Sequence, residues 1–452
     1  MTLSEESKYQ KALEWIHSTA RFGSRLGLER ISKLLTLLGN PERSCKFVHI
    51  TGTNGKGSVT AFVASVLKEA GYRTGMYTSP YLEDFRERIM INGKKIPKKA
   101  LVDLVDEVRP RVEQMVAEGY EHPTEFEINT ALGFLYFSRE GCDYVALEVG
   151  LGGRFDATNV VTPAVSVITT IGYDHMDRLG NTLAQIAFEK AGIIKPGIPV
   201  VTGALEDEPF EVIRKKALEL NSRLITVGRT PWATVTWEEV SYSLDGQEIN
   251  VYGPDFTYRN LKVPLLGRHQ QQNASIAVAA LHAAAPANRE RRIYLDEKAI
   301  SVGIERTVWP GRLEVLHRNP MIILDGAHNP QGAKVLAEAI AGIPRRRLIC
   351  VYGILGDKCY EEATAHVIPQ CDEVIVTRPH TPRALDPGIL AGEVKKYCPN
   401  VTVESDSNKA LDLALNRASE DDAILCCGSL YLVGPARTFI RQRFGISPYG
   451  GE

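Results

Sequence analysis

Between an apolar, β-branched run at 46–51 (KFVHIT) and a helix-prone stretch over 58–70, the chain reads Thr51-Gly52-Thr53-Asn54-Gly55-Lys56-Gly57-Ser58. That succession of strand, glycine-rich turn, lysine and helix admits few folds. Glycines let the backbone turn so that successive N–H groups face one anion. The following helix adds the positive end of its dipole, and Lys56 adds a full charge. A hydroxyl just inside the helix is placed to ligate Mg2+. The spacing departs from GxxxxGK[ST]: it runs Gly52-x-x-Gly55-Lys56, Gly57 stands where Ser or Thr is usual, and Ser58 comes one place later. The segment reads as a nucleoside triphosphate site.

A parallel sheet around such a turn needs further buried strands. RTGMYT (73–78), DYVALEV (143–149), AVSVITT (164–170) and IPVVTG (198–203) supply them, with helical patterns over 99–118 and Leu183–Ala191 between. Residues 230–265 alternate and carry turn signals at Asp245-Gly246 and Gly253-Pro254, the pattern of an antiparallel ribbon. Residues 274–285 are Ala-rich and helix-prone. After Trp309-Pro310-Gly311 the alternation resumes at smaller scale, with strands expected at 321–325, 347–353, 372–377, 401–405 and 423–428. The expected fold is α/β. A P-loop ATPase-type doubly wound sheet with an added antiparallel ribbon occupies 1–308, and a smaller Rossmann-like domain occupies 309–452.

Composition narrows the function. The 452 residues carry 53 basic and 55 acidic side chains, a net charge of −2, so no basic excess draws nucleic acid or an anionic membrane. No apolar run approaches the roughly 20 residues of a membrane span. The first 20 residues lack a signal pattern. Eight Cys without a CxxC pair suggest neither a disulfide framework nor a zinc site. A cytoplasmic monomer acting on small molecules is the expectation. Of two other glycine-rich turns, Gly150-Leu151-Gly152-Gly153-Arg154-Phe155 has Phe155 where a dinucleotide fingerprint needs Gly or Ala, and Gly353-Ile354-Leu355-Gly356 reads as a turn.

Magnesium beside a triphosphate wants hard oxygen ligands. Glu148 ends DYVALEV at the carboxyl edge of the sheet, and Ser79 follows RTGMYT to the same edge. Within Asp174-His175-Met176-Asp177, residue type alone favours Asp174 or Asp177, because histidine is a poor Mg2+ ligand. Lys190 reads as a helix C-terminal lysine that complements the dipole.

Nine segments, in order along nearly the whole chain, resemble folylpolyglutamate synthases and bifunctional dihydrofolate synthase/folylpolyglutamate synthases, within the Mur ligase superfamily. They are TGTNGKGS (51–58), TSPYLEDFRERI (78–89), TEFEINTA (124–131), LEVGLGGRFDATN (147–159), DHMDRLG (174–180), EKAGIIKPG (189–197), WPGRLE (309–314), LDGAHNP (324–330) and GSLYLVG (428–434). The resemblance implies ATP bound by Thr53, Asn54, Gly55, Lys56, Gly57 and Ser58, with later contacts from Asn273, Arg312, Asp325 and His328. It implies two Mg2+ ions, one on Ser79 and Glu148, the other on Glu148, His175 and a carbamylated Lys190, which sets His175 above Asp174. It implies a pterin site of Gly23, Ser24, Arg25, Leu26, Thr124, Glu125, Phe126, Glu127, Phe155, Asp156 and Ala157, with Arg88 affecting the substrate or its loop. The chain departs from the family at Cys359, after Gly356-Asp357-Lys358, where relatives commonly carry Asp.

The implied reaction adds L-glutamate to dihydropteroate or to a reduced folate. ATP converts a carboxylate to an acyl phosphate, the amine of glutamate attacks, and ADP and phosphate leave. Lys56, Lys190, His175 and Arg312 are the candidate catalytic residues. Competing readings are a polyglutamate synthase alone, a peptidoglycan-type Mur ligase, a small-molecule kinase and a non-catalytic nucleotide switch. The phosphate loop begins too early for the extra leading domain of a peptidoglycan ligase.

Overall fold

A computed structural model describes residues 4–23, 25–284 and 296–451. Its first sheet contains β1 (Lys46–Thr51), β2 (Thr74–Tyr77), β3 (Ile89–Ile91), β4 (Lys94–Lys95), β5 (Tyr144–Glu148), β6 (Val165–Ile168), β7 (Val200–Thr202) and β8 (Leu224–Thr226). The order is β4-β3-β2-β5-β1-β6-β7-β8, parallel except for the β3–β4 edge. β1 lies centrally, and both its faces are covered. Val48 and Ile50 pack with Phe62, Val63 and Val66 of helix Lys56–Glu69. Phe47 faces the opposite layer, with Ile128 and Leu132 of helix Glu125–Arg139. The carboxyl ends of β1, β5 and β6 therefore meet in one crevice, the usual ligand position in such sheets.

The anticipated ribbon forms from β9 (Thr236–Ser243), β10 (Gly246–Tyr252) and β11 (Thr257–Val263). Ile249 and Val251 of β10 are buried in the same core as helix His269–Ala284. That helix starts earlier than the 274–285 reading, and residue 285 lies outside the described residues. The second sheet is β12 (Glu314–Arg318), β13 (Met321–Asp325), β14 (Leu348–Tyr352), β15 (Glu373–Val376), β16 (Val401–Val403) and β17 (Ala423–Cys427). Its order is β12-β13-β17-β14-β15-β16, and only β12 is antiparallel.

The five anticipated strands of this sheet are its five parallel ones. β12 was not anticipated, because a half-exposed edge strand reading EVLHR has no continuous apolar run. β3, β4 and β8 escaped for a simpler reason: each is two or three residues long. Among the described residues, no helix is long and apolar enough to cross a membrane. All eight cysteines are free thiols.

Candidate active site

The turn after β1 needs its glycines. Gly52 and Gly55 have φ of +152° and +86°; a Cβ on Gly52 would lie 1.8 Å from Thr169 Oγ1, and one on Gly55 2.5 Å from Asn273 Oδ1. The half-buried Lys56 curls over this loop, its Nζ donating to the carbonyls of Gly52 (3.0 Å) and Thr53 (3.1 Å). Gln270 ties the loop's end to helix His269–Ala284. It donates to Ser58 Oγ at 3.2 Å and accepts from Asn273 Nδ2 at 2.9 Å.

Gly57, the departure from the usual motif, has a steric reason. A Cβ there would come 2.6 Å from the indole of Trp309, the residue leading into the Pro310-Gly311-Arg312 turn. Gly57→Ala is expected to push Trp309 off the phosphate loop and raise the KM for ATP about tenfold, measured by ADP release at varied ATP; this takes a displacement on the scale of an ångström as its cause.

Around the loop stand the other predicted groups. Glu148 is buried at the end of β5, where its Oε2 accepts from Ser79 N at 3.1 Å. Burial pushes its carboxyl pKa up, and the positive charge of Lys56 pulls the other way. Lys190 is in the last turn of its helix, as its position suggested, but complementing the dipole is not all it does. It is buried, and its Nζ donates to Gly52 O at 2.9 Å. Burial, reinforced by the charge of Lys56, brings its pKa down to about 7. Close packing aims it inward: a Cβ on Gly153 would lie 2.9 Å from Glu189 O and 3.0 Å from Lys190 O. Gly153 thus serves helix packing, while Gly150 and Gly152 line both cavities.

Asp174 and Asp177, which residue type alone favours as metal ligands, have protein partners here. The Asp177 side chain is 75% exposed and pairs with Arg178. Asp174 Oδ1 accepts from Lys358 Nζ at 2.7 Å and from His175 N at 2.9 Å, and Oδ2 accepts from Asn329 Nδ2 at 3.3 Å. Burial raises its pKa, but the His328 hydrogen bond and the charges of His328 and Lys358 outweigh that and hold it far below the usual range. Its oxygens are thus committed to protein donors. His175 lies beside it with Nε2 3.2 Å from Lys358 Nζ, and burial lowers its pKa to about 4.

The later segment brings Arg312, Asp325 and His328 to the same crevice. Buried Asp325 braces the Arg312 turn, accepting from Leu313 N and Ala327 N at 2.7 Å each. Burial raises its carboxyl pKa, and Arg312 opposes this. Asn54 crosses to the second sheet's side, donating to Gln331 Oε1 at 2.8 Å. One cavity of about 310 Å3 is lined by residues 51–58, Ser79, Glu148, His175, Lys190, Asn273, Arg312, Asp325 and His328.

A second cavity of about 370 Å3 is lined by Gly23, Arg25, Leu26, Arg88, Thr124, Phe126, Glu127, Phe155, Asp156 and Ala157. Ser79, His175 and His328 line both. Arg88 sits over the rings of Tyr81 and Phe85, and its Nε and Nη1 are buried without a protein partner. Thr124 and Glu127 close a capping box at the start of helix Glu125–Arg139, Thr124 N donating to Glu127 Oε2 at 2.7 Å. Arg30 Nε also donates to Glu127 Oε2, at 3.1 Å, while Oε1 has no partner. Burial raises the Asp156 carboxyl, against hydrogen bonds from Thr158. Glu125 departs from expectation: it does not line the cavity and meets His17 Nδ1 at 3.2 Å. Ser24 lies outside the described residues.

Sequence reasoning passed over Asn329, Gln331 and Arg30, and gave Lys358 no role. Asn329 lay in the quoted LDGAHNP segment, but nothing local says that its partners are Asn54 and Asp174.

Comparison with known proteins follows this geometry. The Mur ligase middle domain matches residues 50–281, and the Mur ligase glutamate ligase domain matches residues 311–430. The dihydrofolate synthase/folylpolyglutamate synthase of Bacillus subtilis is 38% identical over 95% of this chain and 98% of its own length. Mycobacterium tuberculosis folylpolyglutamate synthase, solved with ADP and AMPPCP, is 33% identical, covers 97% of this chain and 99% of that one, and superposes with a TM-score of 0.88. Escherichia coli FolC in complex with DHPP and ADP is 30% identical over 96% of this chain and 98% of that one, with a TM-score of 0.84. The chain belongs to the dihydrofolate synthase/folylpolyglutamate synthase family of Mur ligases.

Proposed function

We propose that this ATP-dependent ligase joins L-glutamate both to dihydropteroate and to reduced folates. The observation that carries the reading is the meeting of the two cavities at Ser79, His175 and His328, with Lys56 and Arg312 on the nucleotide side and Arg88 on the other. A triphosphate seated on residues 52–58 points its terminal phosphate at that junction. A carboxylate arriving from the larger cavity reaches the same point.

Carboxylate and amine do not condense unaided in water, so phosphorylation must convert the carboxylate to an acyl phosphate. Lys56 and Arg312 are assigned to neutralise charge on the transferring group, and Asn273 and Asp325 to fix the nucleotide and the Arg312 turn. Arg88 has unpaired donors for an anionic group of the acceptor or of glutamate. Asp174, Asn329 and Lys358 hold the two halves of the crevice together and keep water from the acyl phosphate. We assign the halves to 1–308 and 309–452.

The donor set fits Mg2+. Glu148 and Ser79 offer hard oxygens beside the phosphate loop, and His175 and Lys190 line the same cavity. Among the described residues no three His, Cys, Asp or Glu side chains form a ready cluster, so a further oxygen ligand is needed. An amine with a pKa of about 7 is substantially neutral at physiological pH, the form that adds CO2 to give a carbamate. Bound Mg2+ would supply charge neutralisation at the phosphates.

The test is ADP and phosphate release with ATP, Mg2+ and L-glutamate, run with dihydropteroate and separately with a reduced folate. Glutamate-dependent release with both is expected. Release with the folate alone would leave a polyglutamate synthase, and none with either would overturn the reading.

A further inference from the structure

Two catalytic loops are held from behind by one side chain. The loop 79–88 carries Ser79 at one end and Arg88 at the other, and Glu83 lies between them. Glu83 turns away from the cavities toward helix Leu430–Phe444. Its Oε1 accepts from Thr438 Oγ1 and from Arg441 Nη1, both at 2.8 Å, and its Oε2 pairs with Arg437 Nη1. The rest of the Arg437 guanidinium is forked onto Glu314, with Nε and Nη2 donating at 3.0–3.1 Å. Glu314 Oε2 in turn accepts from Gly311 N at 2.9 Å, closing the turn that presents Arg312. Arg437 is buried, and the Glu83 side chain is only 9% exposed. The helix backbone presses on the same loop: a Cβ on Gly434 would sit 1.9 Å from Leu82 O.

We propose that Arg437 is a positioning residue for the ligase reaction: by bridging Glu83 and Glu314 it fixes the loop bearing Ser79 and Arg88 in register with the turn bearing Arg312. The inference rests on the roles given to those three residues above. Each lies on a loop or turn, and loops are the least self-supporting elements of a site. Phosphoryl transfer and acyl attack depend on geometry set to within about 0.5 Å. A planar fork holds two carboxylates at a fixed separation, which a flexible ammonium does not.

Arg437→Gln and Glu83→Gln are each expected to lower kcat about 10- to 100-fold, the scale of an ångström misplacement, with the KM for ATP moving less than about threefold. The KM holds because no side chain of the network contacts residues 52–58, provided Trp309 keeps its seat on Gly57. Amide hydrogen exchange should quicken in 79–88 and 311–314 and stay unchanged in 52–58. Arg437→Lys should recover thermal stability while leaving kcat low. A tie that merely holds the fold together would behave differently: activity would track the folded fraction, and kcat measured well below Tm would equal that of wild type. That result would overturn the proposal, as would unchanged exchange in both loops. Should Arg437→Gln fail to fold, Glu83→Gln carries the test, since it leaves the Arg437–Glu314 pair intact. Should wild type show no glutamate-dependent ADP release, the functional reading fails and the exchange measurement still decides the coupling.

Discussion

Arg312→Ala is expected to lower kcat by about two to three orders of magnitude, the cost of removing one preorganised charge from a transition state, while leaving the thermal unfolding midpoint near that of wild type. The guanidinium donates to no protein acceptor among the described residues, yet it lines the nucleotide cavity. Its donors are open toward that cavity, and we propose that they meet the phosphates of the nucleotide. Truncation orphans little, because Asp325 keeps two backbone N–H donors. The stability change should stay within about 1 kcal/mol. Charge on the phosphoryl oxygens peaks during transfer, so kcat should fall much further than the KM for ATP rises. Arg312→Lys should lie between, since it restores charge without the fork. Steady-state ADP release with a melting curve checks this; wild-type kcat in the alanine variant would remove Arg312 from the reaction.

What the sequence discloses here follows the range of the physics involved. The phosphate loop is legible because its glycines and lysine act within a few residues, and the strands beside it are continuous apolar runs. The T-x-x-E capping box at Thr124 is equally local, its two partners three residues apart. Lys190 is the opposite case. Its helix position is legible, but its direction depends on Gly153 letting that helix descend onto the sheet edge, a contact across 37 residues. Asp174 looked like the better metal ligand because residue type was the only information available; its engagement by Lys358 is made from 184 residues away. Glu83 lies in the quoted TSPYLEDFRERI segment, but nothing there points to Arg437, 354 residues away. A solvated acidic loop and a basic helix end are what such residues resemble in isolation.

Glu148→Gln is expected to separate activity from stability more sharply than any other single change. The carboxylate is buried where β5 ends, and burial raises its pKa, so holding it ionised there costs free energy in the metal-free protein. The amide has the same shape, and its Oε1 still accepts from Ser79 N, so the backbone turn into 79–88 keeps its anchor. Thermal unfolding in metal-free buffer near neutral pH should therefore match wild type or occur higher, by up to a few degrees. Turnover should move the other way. The amide offers Mg2+ a neutral oxygen in place of an anionic one, and it removes a negative charge that acts on Lys56. A fall in kcat of about two to three orders of magnitude, the loss that follows removal of one electrostatic element, is expected, together with a higher Mg2+ concentration for half-maximal rate. A group whose burial as an anion is costly, and which lines the nucleotide cavity beside the phosphate loop, is one retained for chemistry. A variant that is markedly less stable, or one that turns over normally at the wild-type Mg2+ concentration, would make Glu148 a structural residue and move the metal elsewhere in the crevice.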